Sequence, residues 1–74
     1  MKGNIMYNFK LSETEAKLAV TKVEKIGNYK DDAMLAFINL YGAQAIDVLY
    51  ADPGSEEHDD AWNALGALEF WAKA

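Results

Sequence analysis

A chain of 74 residues with no cysteine and one histidine has neither a disulfide nor a Cys/His zinc site to hold it together. A lone domain of this length buries only about 60–65% of the surface its unfolded chain exposes, so its stability margin is narrow. Its residues are 51% apolar, too many for a disordered chain. The solutions left are a well-packed helical unit or a chain that gains core by oligomerising. The expected fold class is all-α. A small compact bundle of three to four helices fills residues 12–74, an extended arm covers 1–11, and the two form a single domain over 1–74.

The arm is read from Ile5-Met6-Tyr7-Asn8-Phe9-Lys10-Leu11. Ile5, Tyr7, Phe9 and Leu11 alternate with more polar neighbours, the period of an extended strand. No second strand pattern follows, so the arm needs a partner strand or a helical surface to lie on.

Helix signals follow in order. Ser12 and Glu15 have the spacing of a capping box, and Ala16, Ala19, Val20, Val23 and Ile26 make a helical stripe that Gly27 is expected to end. Asn28 is a good N-cap for a second helix running to Tyr41, with Asp31 and Asp32 at its positive end and Gly42 after it. Its apolar residues spread over roughly 200° of the wheel, with Leu35 beyond even that arc and Asp32 and Asn39 as the polar stripe. A helix so apolar on most sides is either central or half-covered by another chain. A third, short helix is expected from Ala43 to Tyr50, then a turn at Asp52-Pro53-Gly54. The fourth begins at Ser55 and runs nearly to residue 74, with Ala61, Trp62, Ala64, Leu65, Leu68, Trp71 and Ala72 on its apolar face. Phe70 falls on the opposite side, near Asp59 and Asn63. Gly66 costs about 1 kcal/mol against alanine in mid-helix, which close approach of another backbone would explain.

Charge is divided along the chain. Residues 1–30 carry a formal +3 and residues 31–74 a formal −8, giving the net −5, and there is no arginine. A chain without arginine and with a pI near 4.6 is poorly suited to phosphate or guanine, which argues against direct nucleic-acid binding. An acidic surface does attract a basic protein surface. No apolar run approaches the ~18 residues of a membrane span and the N-terminus has no apolar signal region, so the expectation is a cytoplasmic protein without membrane contact.

The residues argue against most chemistry. Ser12 and Ser55 are the only serines and both read as helix caps; His58 is the sole candidate base, and no oxyanion site is evident. No catalytic residue, cofactor or metal ligand is assigned. The run from Asp52 to Asp60 carries five carboxylates and one imidazole, but its spacing matches no calcium loop and no His/Glu metal motif, and acids are common in a first turn. The five glycines stand apart from one another, so no phosphate loop is present.

Elimination leaves two functional expectations. The first is a non-enzymatic acidic protein-binding module, a stoichiometric inhibitor on a basic surface of nucleic-acid-handling machinery, comparable in size and charge alone to phage anti-restriction and anti-CRISPR proteins. Its carboxylates would stand where the target expects phosphates, a nucleic-acid mimic in charge. Its partner-binding residues are Asp52, Glu56, Glu57, Asp59, Asp60 and Phe70. The second is a self-associating structural or regulatory subunit, a homodimer through Leu35, Ile38, Tyr7 and Phe9.

Overall fold

Ser12 opens the first helix as its spacing requires. In the computed structural model, which describes residues 8–51 and 54–73, the Ser12 hydroxyl accepts from the Glu15 amide at 3.1 Å and the Glu15 carboxylate accepts from the Ser12 amide at 3.0 Å. Helix α1 covers Glu13–Thr21, α2 Tyr29–Tyr41, α3 Ile46–Leu49 and α4 Glu56–Lys73, with a 3₁₀ turn at Ala43–Ala45 leading into α3. No strand occurs among the described residues. The chain is an all-α bundle in which α1, α2 and α3 all pack against α4.

Helix α1 ends six residues short of Gly27. Continuing it would bond the Ile26 amide to the carbonyl four residues back; instead that amide donates to Asp32 Oδ1 at 2.9 Å. Asp32 is therefore not on a polar stripe. It is 2% exposed, the one buried charged side chain among the described residues, and it fixes the loop that carries the chain from α1 to α2. Gly27 takes φ 101° within this loop, a conformation that residues with a Cβ rarely adopt. Asn28 then caps α2, its side chain accepting from the Lys30 amide at 2.9 Å.

The core is built from small residues on the helices and a few large ones between them. Ala16, Ala33, Ala36, Ala45, Ala61 and Ala64 are buried almost completely, letting the helices approach, while Phe37 and Leu68 are the largest fully buried side chains. Phe9, Phe37 and Tyr41 close one end. Phe9 stacks on Phe37 with centroids 5.7 Å apart, and Tyr41 meets both edge-on at 4.8 and 5.0 Å, geometries that suit the ring quadrupoles.

The described part of the arm, 8–11, keeps the expected alternation without forming a strand: Phe9 is buried and Leu11 half-buried, while Asn8 and Lys10 face solvent. It lies on helices. Phe9 is consequently spent inside the chain's own core at 3% exposure, which removes it from the expected dimer surface. Burial beside Phe37 and Tyr41 leaves this ring almost no surface for a second chain to cover.

Among the described residues, one buried side-chain polar atom has no partner. The Tyr41 hydroxyl is buried and unbonded, and desolvation, with the negative charge of Glu15 adding to it, pushes the phenol above its ordinary range.

Candidate functional site

The acidic region is shaped by how α4 begins. Ser55 accepts from the His58 amide at 3.1 Å, and Glu56, Glu57 and Asp59 occupy the first turn, where the helix dipole favours carboxylates. One turn further in, α4 grips the end of α3. His58 Nδ1 lies 3.0 Å from the Val48 carbonyl; a carbonyl only accepts, so the proton is on Nδ1. The Trp62 indole donates to the Leu49 carbonyl, also at 3.0 Å. The Val48 carbonyl also accepts from the Ala51 amide at 3.3 Å, so His58 adds a second contact there, while Trp62 supplies a donor to a terminal carbonyl of a four-residue helix. His58 thus makes a structural bond through Nδ1, and no group of three His, Cys, Asp or Glu among the described residues could hold a metal ion.

The described acids differ in exposure. Glu56 and Asp59 are exposed, whereas Glu57 and Asp60 are half-buried. Asp60 lines a groove of about 280 Å³ with Phe9, Lys10, Leu11, Asn63 and Ala64. Asp52 lies outside the described residues, as does Tyr7.

The alignment that does emerge runs along the outer side of α4. Asp59, Asn63, Gly66 and Phe70 are all exposed and recur at helical spacing, a stripe about 16 Å long. Phe70 is 63% exposed, with its ring edge-on to Trp71 at 5.2 Å. Trp62 borders the stripe. It is 45% exposed rather than part of the apolar face, while Trp71 is half-buried under the Lys17 ammonium, 5.4 Å from the ring centroid.

Gly66 also departs from expectation. A Cβ built there would meet nothing within 4 Å, so no backbone among the described residues approaches it and packing among them does not explain a glycine. Of the expected dimer residues on α2, Leu35 is 39% exposed and Ile38 half-buried. A further apolar feature was not signalled by the sequence. Leu18 and Leu40, 53% and 40% exposed, line a groove of about 490 Å³ between α1 and α2 with Glu15, Ala19, Lys22 and Asn39. Leu18 lies across α1 from the stripe of Ala16, Ala19 and Val20, whereas Leu40 belongs to the broad apolar arc of α2, and the placement of α4 on the other side leaves it outside.

No helix among the described residues is long and apolar enough to cross a membrane. No family model matches the chain, and neither a curated protein nor a solved structure matches it.

Proposed function

We propose that the chain is a non-enzymatic, acidic protein-binding module that docks the outer side of α4 on a basic protein surface. The observation that carries this reading is the stripe in which an exposed ring, Phe70, follows an exposed carboxylate, Asp59, on one solvent face. Aromatic anchors beside charges are what small docking surfaces use: the ring supplies short-range energy and the charge steers encounter. Glu56 extends the acidic end of the stripe; Asp60 and Glu57 add field from its flank, and Asp52 belongs to the same run of sequence. In its most concrete form the module is a cytoplasmic stoichiometric inhibitor that covers a phosphate-binding surface of nucleic-acid-handling machinery, with size, charge and lack of arginine as support.

The test begins with affinity capture from the native host to identify the partner, followed by titration of that partner at low and physiological salt. Binding should weaken with salt, mostly through a slower on-rate. Glu56→Gln with Asp59→Asn should weaken it further, and Phe70→Ala should mainly raise the off-rate. Salt-independent affinity with unimpaired variants overturns the reading.

A further inference from the structure

The outer side of α4 has a symmetry of its own. Around Gly66, Trp62 and Phe70 lie four residues before and after, and Asp59 and Lys73 seven before and after. At roughly 100° per residue, all five fall within about 40° of the direction of Gly66, facing away from Ala61, Leu65, Leu68 and Ala72 in the core. Glycine is the costly residue at an exposed mid-helix position, and none of the described residues occupies the space over it.

We propose that this face is a self-association surface, on which α4 of a second copy crosses antiparallel with the two Gly66 residues in contact. A two-fold axis through that crossing places each residue opposite the one equally far on the other side of Gly66. Phe70 of one copy then meets Trp62 of its partner, and Asp59 of one meets Lys73 of its partner, twice over. Every pair is complementary: ring against ring, and carboxylate against ammonium. Absence of a side chain at the centre lets the helices come close enough for the rings to meet. Trp62 is already held by its bond to Leu49, so its exposed face is presented without loss of rotamer freedom on binding. Lys73 rests over Tyr29, 5.1 Å from the ring centroid, and its flexible stem can turn the ammonium to a carboxylate.

One helix crossing covers less than the ~1,200 Å² of a standard interface, so the dimer is weak and reversible. It is independent of the proposed docking partner, yet it covers the same ring. A chain in the dimer cannot present Phe70.

Sedimentation equilibrium of the purified protein alone tests this. The mean mass should rise above the 8.2 kDa of one chain as concentration approaches about 1 mM. Asp59→Lys and Lys73→Asp should each abolish the rise, because each places like charges opposite one another twice. Mixed in equal amounts, the two variants should recover it, since both cross-pairs are then of opposite charge. Gly66→Ala should raise the melting temperature of the dilute chain, as alanine favours helix, while weakening the dimer about tenfold or more by overfilling the crossing. Leu35→Glu on α2 should leave association unchanged. A wild type still monomeric at about 1 mM overturns the proposal. So does a dimer that survives both charge reversals, or one that Leu35→Glu dissociates. None of these results depends on the docking partner.

Discussion

The Trp62 indole and the Leu49 carbonyl, 3.0 Å apart, tie α4 to the last turn of α3. Leu49 is itself 2% exposed, so the bond also holds a core side chain in register. Trp62→Phe keeps an aromatic ring but removes the only donor of that side chain. In dilute protein the substitution should cost about 1 kcal/mol of unfolding free energy, measured by urea denaturation. An unchanged midpoint would mean that water replaces the indole without loss.

Asp32 should behave as an acceptor before it behaves as a charge. Its Oδ1 satisfies the Ile26 amide at 2.9 Å from a nearly buried position. Asp32→Ala strands that amide and should cost about 1–3 kcal/mol. Asp32→Asn retains a carbonyl oxygen there and should cost distinctly less. Equal losses in the two variants, read from urea unfolding, would show that the carboxylate charge matters more than the bond.

Tyr41→Phe should be neutral or stabilising by up to about 1 kcal/mol, since it deletes a buried hydroxyl without a partner. Its ring contacts with Phe9 and Phe37 survive the change. Thermal unfolding of the variant reads this directly, and a drop of more than about 1 kcal/mol would reveal a partner for the hydroxyl.

Acid should loosen the start of α1. The Ser12 amide, and then the Ser12 hydroxyl, hold the Glu15 carboxyl below its ordinary value of 4.5. A carboxylate depressed in the folded state stabilises it above the unfolded value, and that contribution is lost as pH falls through the folded one. The amide resonances of Ser12 and Glu15 should therefore move together in acid, with a midpoint below 4.5. Glu15→Gln should remove that step. Movement centred at or above the ordinary value would contradict the capping box.

Much of this architecture was legible because it is local chemistry. Ser12 with Glu15, Asn28 and Gly42 mark helix ends through groups only a few residues away, and the structure uses all of them. The early end of α1 was hidden because the loop that follows it is fixed by the Asp32 carboxylate, which belongs to the next helix. Phe9 alternates as an interface strand would, and only the Phe37 and Tyr41 rings beneath it decide that it is core. In the candidate site, the alignment of Asp59 with Phe70 followed from helical periodicity alone. Trp62 and Gly66 did not, because their meaning depends on which side of α4 the other helices leave open. The division of the acids between solvent and body was hidden for the same reason.

The order in which the elements are made has a consequence for synthesis. Each of α1, α2 and α3 packs on α4, the last of them to be translated. While the ribosome is still adding residues before Glu56, the helix that α1, α2 and α3 all pack on is missing, and what contact α1 and α2 make joins only short helices of marginal stability in water. The bundle therefore cannot close before α4 emerges, and a chaperone that shields apolar nascent segments has its main opportunity before that moment.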